Sequence, residues 1–290
     1  MVDSVEIAPG VFRVRAPNPS AMTFTGTNSY VLSGGIVIDP GPNDDGHLQA
    51  LAYAAGAAVT AIVLTHTHID HSAGAPALAA MTGAPIYGFG PHGAGMSEAM
   101  LRLAQEDLGG GEGADRLVGV DHLVGDEELV ELGGVALRAL HTPGHISNHL
   151  CLAIEGTGTV FSGDHVMGWA TSLISPPDGD MGAFMRSLDK LLARDDRLYL
   201  PGHGEPVEDP ASRLMELRDH RRMRETQILD ALTEAAATKE DLVARLYTDI
   251  DARLHGMAAR NVLAHLVDLW ERDVVTPDGD FSSTVAFRLS

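Results

Sequence analysis

The chain has 290 residues, 44% of them hydrophobic, a single cysteine, and 40 acidic against 20 basic side chains for a formal net charge of −20. That length exceeds one typical domain and that apolar fraction supports a sizeable core, so one large domain with a smaller companion is expected. The composition excludes an intramolecular disulfide and a membrane helix, since no apolar run approaches the ~20 residues a span needs.

The charge repels polyanions at long range and leans toward a small-molecule substrate, although a metal site would add positive charge that the formal count omits. Residues 1–10 carry acidic side chains and no long apolar stretch, so no secretory signal is expected and the chain reads as cytoplasmic. Residues 5–15 form two short apolar pieces broken by Pro9 and Gly10, the pattern of an edge hairpin. A Pro, Ser and Thr-rich loop over 17–26 follows. Residues 28–32 and 36–38 then pair around Ser33, Gly34 and Gly35, ending at Asp39, which is either a turn former or a partner for a metal-bound histidine. Thr27 and Asn28 either line a cleft or build the turn.

After a helical stretch over 48–56, the apolar run Ala61, Ile62, Val63 and Leu64 reads as a buried strand. Directly beyond it His66, His68, Asp70 and His71 crowd three imidazoles and one carboxylate into six residues. Such ligands would leave a strand at the mouth of a sheet, where α/β proteins keep their chemistry. Imidazole with carboxylate suits zinc, with manganese and iron as competitors. An Ala-rich helix is expected from Ser72 to Met81, a strand over 84–90 and a helix over 97–108. The glycine cluster at 109–113 lacks the Lys-Ser/Thr ending of a phosphate loop and reads as a flexible surface loop.

Three further apolar runs end in candidate ligands: 135–140 leads to His141 and His145, 159–161 to Asp164 and His165, and 198–200 to His203. Four strands therefore deliver His or Asp at their carboxyl ends, a placement unrelated solvated histidines would not repeat. Cys151, inside an apolar run, reads as core filler. The character changes near Pro210. A long helix is expected over 211–236, a second opening at Thr238 with a capping-box pattern, and a third over 257–272. A terminal hairpin around Pro277, Asp278 and Gly279 completes what reads as a winged-helix unit.

The motif His66-x-His68-x-Asp70-His71, followed by His145, Asp164 and His203, resembles the metallo-β-lactamase superfamily in spacing and order. The resemblance implies an α+β fold, a four-layer αββα sandwich over residues 1–210 followed by a small winged-helix domain over 211–290. It implies two divalent metal ions, His66, His68 and His145 on one and Asp70, His71 and His203 on the other, with Asp164 bridging. Zinc is expected first, with manganese or iron as alternatives. The implied chemistry is hydrolysis by a hydroxide held between the metals, Asp70 orienting it, with no serine or cysteine nucleophile. True β-lactamases of this fold usually lack the bridging aspartate and carry a signal peptide, so antibiotic hydrolysis is not expected.

A finer resemblance is to the β-lactamase-like-2 proteins, which include a single-strand endoribonuclease. It rests on Thr25 to Tyr30, on Ser175 to Met181 with Ser187 and Leu188, and on the tail around His220 to Glu225 and Leu254 to Ala258. Two enzyme readings follow: a hydrolase of small thioesters, esters or lactones, which suits the acidic surface, and a nuclease of single-stranded RNA. A third reading makes the winged helix a regulatory or nucleic-acid-binding module; it could equally cover the active-site flank or mediate a homodimer. His149 and His165, beside ligand positions, either position substrate, protonate a leaving group or make a structural hydrogen bond. Arg218, Arg221, Arg222 and Arg224 form either a phosphate-binding stripe or a solvated helix face. His47, His92, His122 and His265 are read as ordinary surface or core residues.

Overall fold

The computed structural model describes residues 4–56, 58–106, 108, 113–249 and 251–290. Its first sheet takes its strands in chain order: β1 (Ser4–Ala8), β2 (Val11–Arg15), β3 (Asn28–Leu32), β4 (Ile36–Ile38), β5 (Ala61–Val63), β6 (Ile86–Gly88) and β7 (His122–Leu123). The first four pair antiparallel, β1 with β2 and β3 with β4 through short turns and β2 with β3 through the loop over 16–27. From β4 onward the pairing is parallel, which requires crossovers. These are α1 (Asp45–Ala54), the pair α2 (Ile69–Ser72) and α3 (Ala75–Thr82), and α4 (Glu98–Leu103).

The second sheet is built from β8 (Leu129–Leu132), β9 (Val135–His141), β10 (Leu150–Ile154), β11 (Thr159–Gly163) and β12 (Leu198–Pro201), in the order β12-β11-β10-β9-β8. Only β11 and β12 are parallel, joined through α5 (Met181–Leu192).

Both sheets are buried on two faces, and alternation along their strands sends side chains to different cores. Tyr30, Leu32, Ile36, Ile38 and Val63 meet Leu137, Leu150, Leu152, Phe161 and Leu200 between the sheets. Val31, Val37 and Ile62 face the other way, onto Leu48 and Leu51 of α1 and Leu78 of α3. Cys151, Val160 and Tyr199 face outward from the second sheet onto Phe184 and Leu188 of α5 and onto Leu214 and Leu217 of α6 (Pro210–Glu234). Three stacked cores make the expected αββα sandwich. Each fully buried Leu, Ile or Phe in them contributes about 1.5–3 kcal/mol.

The carboxyl end continues with α7 (Lys239–Leu246), α8 (His255–Glu271) and the antiparallel pair β13 (Val275–Pro277) and β14 (Phe287–Leu289). Thr238 and Asp241 close a reciprocal capping box at the start of α7, as the sequence pattern predicts. Helix α6 serves both cores: Leu214 and Leu217 pack on the sandwich, while Ile228 and Leu232 join Leu242, Val262, Leu266 and Phe287. Leu263 and Val267 of α8 pack on Ala99, Met100 and Leu103 of α4, so the winged helix is docked on the sandwich. No described helix is long and apolar enough to cross a membrane.

Two helix expectations change. The stretch from Ser72 to Met81 is two helices, because the chain turns at Gly74 to bring its N–H 2.9 Å from the Gly41 carbonyl. A Cβ on Gly74 would sit 3.0 Å from the Pro42 carbonyl oxygen, so the close approach needs glycine. Helix α4 stops at Leu103 instead of running to 108. Residues 109–112 of the glycine cluster lie outside the described residues.

Candidate metal centre

All four ligand-bearing strands point their carboxyl ends to one edge of the sandwich. Tight backbone turns follow each of them, and cross-sheet hydrogen bonds hold the turns in place. Leu150 N–H donates to the Thr65 carbonyl at 2.7 Å, and Asn28 N–H donates to the Gly202 carbonyl at 2.7 Å. The Asn28 side-chain amide, fully buried, donates to the carbonyls of Pro201 (3.0 Å) and Gly204 (2.8 Å). Asn28 therefore builds the turn and does not line a cleft. Gly202 is a required glycine: a Cβ there would lie 2.5 Å from both Asp164 Oδ1 and His71 Cε1.

At this edge the seven candidate ligands come together in two groups. His68 Nδ1 lies 3.0 Å from His66 Nε2 and 2.9 Å from His145 Nε2. The other nitrogens of His66 and His145 face acceptors: Nδ1 of His66 is 3.0 Å from Thr65 Oγ1, and Nδ1 of His145 is 2.8 Å from the Leu173 carbonyl. Those outward N–H bonds leave lone pairs on the inward nitrogens. Both of those lone pairs face His68 Nδ1, a convergence of ring nitrogens that a bound cation would satisfy. In the second group His203 Nε2 lies 3.2 Å from His71 Nε2 and 3.1 Å from Asp70 Oδ2.

Asp164 stands between the groups. Its Oδ2 is 3.7 Å from His145 Nε2 and 3.4 Å from His203 Nε2, and its Oδ1 is 3.5 Å from His71 Nε2. Oδ1 is buried without a hydrogen-bond partner among the described residues, a costly state unless it meets a cation. Four residues (His66, His68, His145, Asp164) and three (Asp70, His71, His203) are each arranged closely enough to share an ion. The donor set fits divalent metal.

The electrostatics agree. Burial and the neighbouring imidazoles push His66 down, and His68 to about 3, so these two present neutral imidazoles. Burial also opposes charge on His71 and His203, but there the carboxylates prevail. Asp70 and Asp164 hold His71 well above the usual histidine range, and Asp164 with Asp70 raises His203 to about 9. Burial works against the Asp70 carboxylate too, yet His71 and His203 lower it to about 2. A divalent ion entering this half must displace protons from His71 and His203.

Asp39 resolves in favour of a supporting role. Its Oδ2 accepts from His71 Nδ1 at 2.9 Å and from Thr65 Oγ1 at 2.6 Å, while Oδ1 accepts from Thr65 N–H at 2.7 Å. The bond fixes the tautomer of His71 so that Nε2 faces the cluster. Thr65, which bonds both Asp39 and His66 Nδ1, escapes sequence reading because a threonine beside a histidine carries no signal of its own. Replacing Asp39 with asparagine sets an amide N–H against a ring N–H or against Thr65. The expected result is a loss of metal affinity of about 10–100-fold, read by chelator competition. Unchanged affinity would show that Asp39 serves the turn alone.

His149 and His165 do not reach the pocket over the cluster, which corrects the catalytic expectation for both. His149 is fully buried behind Asp164, accepting from Asp164 N–H at Nε2 (3.2 Å) with Nδ1 2.9 Å from Thr142 Oγ1. Both of its ring nitrogens are engaged in hydrogen bonds inside the fold. His165 is fully buried against Phe184 with neither ring nitrogen hydrogen-bonded among the described residues, and burial pushes it to about 3. His92, read as ordinary, lies behind the pocket: its Nε2 is 3.2 Å from Oδ1 of Asp178, which lines it. Burial raises the Cys151 thiol to about 12, consistent with core filler.

Of the four arginines on α6, Arg222 is exposed and the other three are engaged within the chain. Arg221 is buried, donating to the Ser172 carbonyl and, at 2.9 Å, to Asn261 Oδ1. Arg218 lies 3.4 Å from Asp189. Arg224 stacks over the Tyr247 ring at 4.1 Å.

Residues 22–203 match the metallo-beta-lactamase superfamily, and residues 238–283 match the beta-lactamase associated winged helix domain. The chain is 30% identical over 276 residues to the beta-lactamase-like protein 2 homolog of Drosophila melanogaster, a match covering 91% of this chain and 88% of that protein. It is 27% identical over 279 residues to the atrochrysone carboxyl ACP thioesterase of Aspergillus chevalieri, covering 94% and 82%. The crystal structure of a metallo-beta-lactamase family protein from Thermus thermophilus superposes with a TM-score of 0.78 at 24% identity, covering 98% of this chain and 100% of that one. With the full ligand cluster at the edge of its sandwich, the chain belongs to the metallo-beta-lactamase superfamily as a metal-dependent hydrolase carrying the associated winged-helix domain.

Proposed function

We propose that this hydrolase cleaves small acyl thioesters at a dinuclear centre, with esters and lactones as poorer substrates. In this reading His66, His68 and His145 hold one ion and Asp70, His71 and His203 the other. Asp164 lies between the two. Zinc is the first choice for so imidazole-rich a set, ahead of manganese or iron. Bound divalent ions supply a Lewis acid toward the scissile carbonyl oxygen and a water acidified to a pKa of about 7.

The observation that carries the substrate class is the pocket above the cluster, about 380 Å³ in volume, with Met22, Ala114, Leu173 and Met257 in its walls. Such a pocket suits an acyl group better than a chain of phosphates. Arg260 is the only basic Lys or Arg side chain among its described lining residues, and of the four arginines proposed for RNA, Arg218, Arg221 and Arg224 are engaged within the chain, leaving only Arg222 exposed and without an ion pair among the described residues. The leaving group points the same way. His149 and His165 lie outside the pocket, so neither can protonate an alkoxide or ribose oxygen. A thiol, with a pKa of about 8.5, leaves as thiolate with little help. The thioesterase from Aspergillus chevalieri, similar over 94% of this chain, also favours this reading.

The test is a side-by-side assay of metal-loaded protein on acyl thioesters, matched oxygen esters and labelled single-stranded RNA. Thioester turnover exceeding ester turnover by about tenfold or more, with RNA intact, is the expected result. Efficient RNA cleavage without thioester hydrolysis would replace this reading with the nuclease one.

A further inference from the structure

Two lining residues of the pocket, Met257 and Arg260, come from the winged-helix domain. They sit at i and i+3 on α8 and so share one face of the helix. That face is held firmly. Ala259 and Val262 are buried in the C-terminal core, Asn261 Oδ1 accepts from Arg221 at 2.9 Å, and Leu263 packs on α4. The rest of the pocket belongs to the sandwich and its loops. The C-terminal domain therefore supplies one wall of the site.

Arg260 is out of keeping with its surroundings. On a chain with twice as many acidic as basic side chains, it is half-buried in a cleft and makes no ion pair among the described residues. Arg213, Arg218 and Arg272, on the neighbouring helical surfaces, each hold a carboxylate. The three carboxylates of the pocket, Asp70, Asp164 and Asp178, have other partners at 3.1–3.7 Å among the histidines. A guanidinium left without a carboxylate at the edge of the pocket, beside Met257, is a ready receptor for a ligand anion, because its planar fork meets a carboxylate or phosphate with two parallel bonds.

We propose that Arg260 is the specificity determinant of the site, binding an anionic group on the acyl thioester while the scissile carbonyl lies over the metal cluster. The winged-helix domain is thus part of the substrate-binding site, and its role here is to read substrate charge. The inference rests on the thioester reading above. The anion is either a carboxylate at the far end of the acyl chain or a phosphate on the thiol half, and both present the same chemistry to Arg260. Arg260 touches no candidate ligand, so it contributes binding of the substrate body, whose loss appears mainly in KM.

The experiment uses metal-loaded full-length protein, as wild type, Arg260→Met and Arg260→Lys. Three thioesters are compared: butyryl on N-acetylcysteamine, glutaryl on N-acetylcysteamine, and butyryl on phosphopantetheine. Wild type should favour one anionic thioester over the neutral one by about 10–100-fold in kcat/KM, the range of a charge-assisted bidentate contact. The arm that shows the preference identifies the acyl or the thiol half as its source. In Arg260→Met the ratio should collapse toward about one, with lysine restoring part of it. Equilibrium binding of free glutarate and phosphopantetheine supplies a second readout, and the preferred anion should lose affinity in Arg260→Met.

If no thioester is hydrolysed, the thioesterase reading fails; binding of the anions, lost in Arg260→Met, would still uphold the anion site. A wild type that does not discriminate between the substrates, or an anionic-to-neutral ratio and anion affinity untouched in Arg260→Met, would overturn the proposal. So would single-stranded RNA cleavage that depends on Arg260 in a protein with no preference among thioesters.

Discussion

Replacing Asp70 with alanine is expected to lower turnover by about a hundredfold to ten-thousandfold, the consequence of losing several kcal/mol of charge stabilisation at the reacting centre. Among the residues of its group Asp70 contributes a full negative charge, 3.1 Å from His203 Nε2 and 3.5 Å from His71 Nε2. Without it this group would keep two imidazoles and a share of Asp164, a weaker site that has lost a full negative charge toward a divalent ion. The metal content of the purified variant should fall toward one ion per chain.

The fold should survive. Asp70 sits on the short helix α2 at the pocket surface, its side chain 26% exposed, and it makes no contact with the three stacked cores. Its removal opens no cavity, and the turns around it are anchored by Thr65, Asn28 and Asp39. A single cooperative melt, compared in the metal-free state so that ion binding does not add stability by mass action, should match wild type within a few degrees. Near-normal turnover by the variant at saturating metal would refute the two-ion assignment.

What the sequence made legible follows from locality. The β3–β4 hairpin and the capping box at Thr238 are short-range patterns in which neighbours along the chain are neighbours in space, and both stand as expected. The candidate ligands were legible for another reason. Each follows an apolar run, and the sandwich brings the ends of β5, β9, β11 and β12 to one edge. What escaped depends on distant packing. The short, exposed β7 and the half-exposed β8 are edge pieces whose pairing depends on a neighbour. Helix α5 goes unmarked in the sequence, although Phe184, Leu188 and Leu191 fill the outer core of the second sheet. The histidines at 149 and 165 carried the right residue type but lie behind the site, since burial cannot be read from proximity to a ligand. Arg260 and Met257 reach the pocket through the docking of α8 on α4 and α5, which no pattern within α8 encodes.

Arg221→Ala should be among the most destabilising single changes in the chain. The side chain of Arg221 is 4% exposed although it carries a cation, and burial lowers its pKa only to about 10, so it stays charged at neutral pH. Three elements meet at its guanidinium. One nitrogen donates to the Ser172 carbonyl, another to Asn261 Oδ1 on α8, and the group lies 5.4 Å from the centre of the Phe184 ring on α5. Ser172 in turn donates its hydroxyl to the carbonyls of Asp164 (2.6 Å) and His165 (2.9 Å). A continuous chain of bonds therefore runs from the winged helix through α6 to the backbone of the residue between the two ligand groups. Truncation to alanine leaves the Ser172 carbonyl and the Asn261 amide oxygen without their charged donor and opens space beside Phe184. Unpaired buried acceptors cost about 1–3 kcal/mol each and a vacated side-chain volume adds to that, for a net loss of roughly 3–4 kcal/mol once some relaxation is allowed. For a chain of this size that corresponds to a melting temperature lower by about 6–15 °C. Methionine at 221 refills the volume but cannot donate, so it should recover only part of the loss. Because the bonds end at Asp164, both variants should also bind metal more weakly than wild type. A thermal melt and metal affinity indistinguishable from wild type in Arg221→Ala would show that the buried guanidinium couples nothing, and would return Arg221 to consideration as a surface cation.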